Sequence, residues 1–371
     1  MKRFLRNLAV FSIPFVLVLA FPLSVFLLSG EQLSMASVVE RQQSSSDDIR
    51  YLSAITSTTD RPYKFLSMAK VDPAIAVIGT SRTLTIRSGF FKDPSAFYNA
   101  GYNGGPSLHT QDLITFINSV PDDGSLKVLL FDATDYLTVA AEGPVQNDSY
   151  LSRYHTFFTT SWRTLYASYF SGKFSYLQLL KKTGTDKNIG ITAHLYGQGY
   201  RKDGSLDRKT TLTPAQLAAS VHTETDREVA AIRTDSAAET EYSATIPQQD
   251  LDSIAHFLAL CKARNIYVIG YLAPSANEID MEMRSLQDAY GNSYRTAPDA
   301  LSPLFAADGY HFYDLRSLST IGATDSELYD SHHPTEKATL RMLAYLADRE
   351  PALKPYLDAK QLRALIPKQP Y

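Results

Sequence analysis

The chain has 371 residues, 44% of them hydrophobic and 11% aromatic, with a formal charge of −3. That length supports one large domain or two modest ones, each with a core of its own. The near-neutral balance carries no electrostatic footprint for nucleic acid, which is excluded as an expected partner.

The N-terminus reads "MKRFLRNLAVFSIPFVLVLAFPLSVFLLSG". Lys2, Arg3 and Arg6 precede an uncharged run from Leu8 to Leu28, long enough to cross a hydrocarbon core of about 30 Å as a helix. A basic flank stays in the cytoplasm, which directs the rest of the chain outward. Pro14 and Pro22 fall inside the run, and membrane helices tolerate both. A cleaved signal peptide would have a shorter apolar core and a small-residue cleavage site, and neither is evident. Residues 1–30 are therefore expected to be a retained single-pass anchor of the cytoplasmic (inner) membrane. The remainder would face the periplasm or extracytoplasmic space.

Residues 31–71 are polar, with "RQQSSSDD" and "TSTTDRP" breaking any long pattern, and are expected as a partly helical stem. From residue 72 onward, β and α signals alternate. "AIAVIGTSR" is a short apolar run ending at Gly79, and "AFYNAGYNGG" is a second that dissolves into glycines. "HTQDLITFINSV" has helical spacing, and "LKVLLFDAT" is a further buried strand. Later, "DLDSIAHFLALCKARN" is an amphipathic helix running into the strand "IYVIGYLAP", and "YHFYDLRS" is the last strand. Short continuous apolar strands separated by helices predict a mainly parallel sheet covered on both faces, a three-layer α/β domain spanning 72–371.

The rhythm breaks between about 141 and 244, which is expected to be an inserted subdomain. It contains the aromatic helix "SWRTLYASYFSGKFSYLQLLKK", an Asp203-Gly204 turn and the polar helix "TPAQLAASVHTETDREVAAI". Packing within the insertion is the expected role of the aromatic helix, with a substrate groove or the bilayer as alternatives. The single cysteine, Cys261, falls in a helix and reads as a buried core thiol.

In open α/β sheets, sites form beyond the carboxyl ends of the strands. Three such loops carry chemistry. "VIGTSRT" presents Ser81 directly after the first strand. "YNAGYNGG" offers the N–H groups of Gly101 and Gly104 and the amide of Asn103. "DSHHPTEKATLRMLAYL" presents Asp330 and His333 before the last helix. Pro334 suits the first helical position, which would make His333 the N-cap, with Leu340, Leu343, Ala344 and Ala347 as the apolar stripe behind it. A serine hydroxyl needs a neighbouring base, the base needs an orienting acid, and the oxyanion needs donors. This chain has candidates for each. "DSHH" lacks a spaced carboxylate cluster or second histidine motif to complete a metal site, and neither a metal nor another cofactor is expected.

The order of these loops resembles the SGNH (GDSL-like) hydrolase superfamily. There the nucleophilic serine follows the first strand, an oxyanion glycine the second, and a D-x-x-H motif precedes the last helix. The resemblance implies an SGNH/flavodoxin-like fold with Ser81 as nucleophile, His333 as base, Asp330 as orienting acid, and Gly104 with the Ser81 N–H as oxyanion donors. "GTSR" stands where the family more usually has G-D-S. "FDATDY" places Asp135 at or near an oxyanion asparagine, and an ionised carboxylate cannot donate a hydrogen bond. Asn103 is then the substitute donor, or Asp135 a substrate contact; Gly101 is a further candidate contact, and Arg82 would either bind an anionic substrate or acyl donor or form a structural ion pair.

An anchor followed by such a domain is similar to the extracytoplasmic proteins of alginate O-acetylation and teichoic acid D-alanylation. That similarity implies a serine acyltransferase or esterase working on O-acyl groups of a cell-envelope polysaccharide, in partnership with a membrane-bound O-acyltransferase. A catalytically degenerate glycan-binding or scaffolding subunit is the alternative, and a lipase or thioesterase is a third.

Overall fold

A computed structural model describes residues 1–53, 60–102, 110–137, 162–172, 175–182, 187–208, 210, 212–234 and 244–370. The chain forms two compact units, both discontinuous in sequence. The larger comprises residues 60–145, 203–205 and 210–371, and the smaller residues 1–59, 146–202 and 206–209.

The larger unit is α/β. Its strands are β1 (Ile75–Ile78), β2 (Phe97–Asn99), β3 (Val128–Asp132), β4 (Tyr267–Leu272) and β5 (His311–Asp314). They lie side by side in the order β2-β1-β3-β4-β5, every pairing parallel. Its helices are α1 (Asp60–Val71), α2 (Gln111–Ser119), α3 (Pro214–Arg233), α4 (Gln248–Ala263), α5 (Asn277–Ser285), α6 (Ala289–Ala307), α7 (Glu336–Arg349) and α8 (Ala359–Leu365).

Successive strand residues point to opposite faces, so each strand feeds two cores. Ile75, Val77, Leu130 and Ile269 pack on one face with α3, α5, α7 and α8. Ala76, Ile78, Leu129 and Val268 pack on the other with α1, α2, α4 and α6. Double coverage is why these strands read as continuous apolar runs and not as alternating ones. Cys261 is buried in the second core, where loss of hydration pushes its thiol pKa well above the ordinary value.

The boundaries differ from the sequence expectation in two places. The segment 31–71 is not one stem. Met35–Ser44 is a helix capped by Ser34, and Arg50–Tyr51 joins Asn188–Ile189, Gly199–Tyr200 and Leu206–Asp207 in a four-stranded sheet, while Asp60–Val71 is α1 of the larger unit. Met35, Val38 and Val39 are buried, and the Gln42 amide donates to the Ile49 and Tyr200 carbonyls at 2.6 and 2.9 Å. Two-residue strands have no periodicity to read, which is why the segment looks like a polar linker. The region 141–244 is divided as well: 146–202 and 206–209 belong to the smaller unit, whereas α3 belongs to the larger. Residues 141–161, 173–174, 183–186, 209, 211 and 235–243 of that region lie outside the described residues.

The Asp203-Gly204 turn serves the larger unit. The Asp203 carboxylate accepts from the Ser205 N–H and hydroxyl, and its carbonyl accepts from Asn99 N–H at 2.7 Å, sealing edge strand β2. Gly204 has φ +78°, and a Cβ there would run into the Asn99 carbonyl.

In the smaller unit, Lys2–Leu28 is one unbroken helix of 27 residues with Pro14 and Pro22 inside it. It is long and apolar enough to cross a membrane.

Candidate active site

Ser81 sits where β1 ends, on a single 3-10 turn, Ser81–Thr83, and not at the start of a longer helix. The turn is locked from several sides. Thr83 N–H and its hydroxyl both donate to the Thr80 carbonyl, at 3.0 and 2.9 Å. The Asn99 amide, at the end of β2, donates to the Thr83 and Ile86 carbonyls at 2.8 Å each. Thr85 bonds Thr339 of α7 at 2.7 Å. Gly79 allows the chain to bend here, because a Cβ would lie 2.7 Å from both Asp132 Cβ and Thr83 Cγ2. A side chain held this firmly loses little entropy on reaching a reactive geometry.

His333 and Asp330 lie on a tight turn after β5. Tyr329 N–H donates to the His333 carbonyl at 2.8 Å, Leu328 and Pro334 form an antiparallel bridge, and Thr335 donates twice to the Glu327 carbonyl. These bonds engage Pro334 and Thr335, so α7 begins only at Glu336, with Thr335 as its N-cap. His333 is therefore not the cap residue that the proline suggested. The stripe Leu340, Leu343, Ala344 and Ala347 is buried, as the spacing predicts. The turn is docked on the start of α5 through Ala276 N–H to the Ser331 carbonyl, at 2.9 Å.

These two loops bring three expected residues together. His333 Nε2 lies 2.7 Å from Ser81 Oγ, and His333 Nδ1 lies 2.7 and 2.8 Å from the two Asp330 oxygens. Asp330 Oδ1 also accepts the backbone N–H groups of His332 and His333, at 2.9 and 2.8 Å. Partial burial alone would raise the Asp330 pKa, but the His333 contact and the two N–H donors outweigh it and hold the carboxyl far below the usual range. An ionised Asp330 accepts, so Nδ1 carries the ring proton and Nε2 presents its lone pair to the Ser81 hydroxyl. The ring and its carboxylate remain partly open to solvent, with side-chain exposures of 24% and 30%.

Arg82 is turned inward. Its side chain is buried, and its Nε donates to Asp135 Oδ1 at 3.0 Å and its Nη1 to the His332 carbonyl at 3.3 Å. Asp135 also accepts from the Thr80 hydroxyl. Burial opposes ionisation of Asp135, yet the Arg82 charge and the Thr80 bond win and lower its pKa. Both residues expected as substrate contacts thus hold the Ser81 loop from beneath. Gly101 is likewise committed, its N–H donating to the Asn99 side chain at 3.0 Å. Asn103 and Gly104, the expected oxyanion donors, lie outside the described residues. The Ser81 N–H donates to no backbone acceptor among the described residues.

Three supporting residues were not recognised from the sequence. The first is Glu228 of α3, whose Oε1 meets His332 Nε2 at 2.6 Å and fastens the Asp330–His333 turn to a helix a hundred residues earlier. Nothing local to "TDREVAAI" points to "DSHH". Thr80 and Asp132 are the others. Asp132 ends β3 and accepts from Thr134 N–H and hydroxyl through Oδ1, while its Oδ2 is buried with no hydrogen-bond partner among the described residues. Among the described residues, no group of three His, Cys, Asp or Glu side chains could hold a metal ion.

Burial, and then the Asp135 charge, push the Asp132 carboxyl up to about 6. An unfolded aspartate titrates near 3.9. Between these values the folded chain retains a proton that the unfolded chain has released. The Asp132 contribution to stability is full below the unfolded pKa and is lost as pH rises through the folded one, an effect of about 3 kcal/mol. Asp132→Asn supplies a neutral group at every pH. Its urea midpoint is expected to exceed that of the parent at pH 7.5 and to converge with it at pH 4. An advantage that persists undiminished at pH 4 would show that Asp132 titration is not its source.

No family model matches the sequence, and no curated protein or solved structure matches it either.

Proposed function

We propose that the chain is a membrane-tethered serine enzyme of SGNH type that moves or removes O-acyl groups of a cell-envelope polysaccharide, outside the cytoplasm, through an acyl-Ser81 intermediate. One observation carries the catalytic part of this reading: the unbroken hydrogen-bond line Ser81 Oγ–His333–Asp330 at the carboxyl edge of a parallel sheet. Ser81 follows β1 and Asp135 follows β3, on either side of the point where the strand order 2-1-3-4-5 reverses direction, the place where open α/β sheets bind ligands.

The chemistry follows from the geometry. Ser81 Oγ attacks an acyl carbonyl as its proton passes to His333 Nε2. Asp330 stabilises the imidazolium, and the Ser81 N–H faces the oxyanion. The protonated ring then releases its proton to the departing alkoxide, and in the second half it deprotonates the acceptor hydroxyl or water. The envelope-glycan substrate and the membrane-bound acyltransferase partner rest on the loop-order resemblance and on the apolar N-terminal helix, which supports a bilayer location.

The test is a fluorophosphonate probe applied to the full chain in detergent, followed by peptide mass spectrometry. A covalent adduct on Ser81, absent in His333→Ala, is the expected result. A folded protein that takes no label at Ser81 would refute the activated serine and favour the binding-subunit alternative.

A further inference from the structure

In the smaller unit, the aromatic segment forms two helices, Trp162–Phe170 and Tyr176–Lys182, joined by a short connection. They lie against the outer part of the Lys2–Leu28 helix. The Phe21 ring is 5.0 Å from the rings of Tyr166 and Tyr169 and 5.3 Å from that of Tyr176. Tyr176 donates to the Ser24 hydroxyl at 2.9 Å, and Tyr166 donates to the Val18 carbonyl. Leu165 and Leu179 are buried with Val25 and Phe26.

Other apolar side chains of the pair are left uncovered. Phe170 is 79% exposed and Leu177 68% exposed, and Leu180 is exposed as well. Water is a poor neighbour for such a patch. We infer that this helical pair lies in the outer headgroup–acyl boundary of the bilayer, with Phe170, Leu177 and Leu180 facing lipid, Tyr169 and Tyr176 at the level of the interface and the Tyr166 hydroxyl reaching deeper along the spanning helix.

Axial position supports lipid as the occupant. Counting back from Leu28 at 1.5 Å per residue, Ser24 is about 6 Å and Phe21 about 10 Å inside the end of the apolar helix. Interfacial helices bury their apolar faces by about 5–10 Å. Side chains packed on Phe21 and Ser24 are thus at that depth whenever Lys2–Leu28 spans the membrane, and the inference rests on that reading. Arg163 and Lys181 are exposed, and their long aliphatic stems let the charges reach the headgroups.

The chain contains one tryptophan, so Trp162→Phe provides a silent background. Into that background go Phe170→Trp and Phe15→Trp separately, each in full-length protein reconstituted into phosphatidylglycerol/phosphatidylcholine vesicles with or without brominated acyl chains. Phe170→Trp is expected to emit at short wavelength and to lose at least half its intensity in brominated lipid, as Phe15→Trp does. Quenching of Phe15→Trp alone, with Phe170→Trp emitting as in water, would overturn the inference and leave the spanning helix standing. Short-wavelength emission from Phe170→Trp that bromine does not quench would also overturn it, since the patch would then be covered by protein. Quenching of neither would remove the spanning helix and the inference together.

Discussion

Ser81→Ala and His333→Ala are each expected to slow turnover of p-nitrophenyl acetate by about 10⁶-fold, and the double variant by no more than either alone. In the proposed mechanism the serine and its base form one device. Ser81 Oγ is activated only by the lone pair 2.7 Å away on His333 Nε2, and that lone pair has no other proton to accept in the first step. Asp330→Asn is expected to cost less, about 10⁴-fold. An asparagine oxygen could still accept the His332 and His333 N–H groups, so the turn survives. Its NH₂, however, would face His333 Nδ1 and favour the tautomer whose Nε2 carries the proton. Circular dichroism should show all these variants folded. Losses that add in the double variant would show that the two residues act separately.

The largest effect on stability is expected from Asp135→Ala, about 3–5 kcal/mol, because it removes the carboxylate that the buried Arg82 guanidinium faces. A joint Arg82→Met and Asp135→Leu substitution should recover most of that loss, since a packed apolar pair avoids the desolvation that the ion pair must offset. Urea unfolding of the single and paired variants decides the matter. A single-variant cost below about 1 kcal/mol would place this pair with surface ion pairs. The same variants separate stability from catalysis. Asp135 bonds Thr80 and Arg82, the two neighbours of Ser81, so a pair variant that refolds but labels poorly would assign the loss to loop position.

The comparison of sequence with structure turns on range. The strand runs 75–78, 128–132 and 267–272 were legible because a doubly covered parallel strand needs consecutive apolar residues. The Ser81 loop was legible because it follows such a run, and "DSHH" because an acid and a histidine three residues apart can share one turn. The helix start at Pro334 was misread for a nonlocal reason: Glu327 and Leu328 claim Thr335 and Pro334 before helical bonding begins. For Arg82 a structural ion pair was legible as an alternative but its partner was not, and only the adjacency of β1 and β3 brings Asp135 to it.

By itself, then, the sequence determined the apolar N-terminal helix, the parallel α/β architecture and the three residues of the Ser81–His333–Asp330 line. Each depends on a local pattern or on the general placement of loops at a sheet edge. Only the tertiary structure decided the inward turn of Arg82, the Glu228–His332 tie, the short 3-10 turn under Ser81 and the strand at Arg50–Tyr51. Those depend on side chains separated by up to 250 residues, whose meeting is set by strand order and helix packing and leaves no periodic trace in the chain.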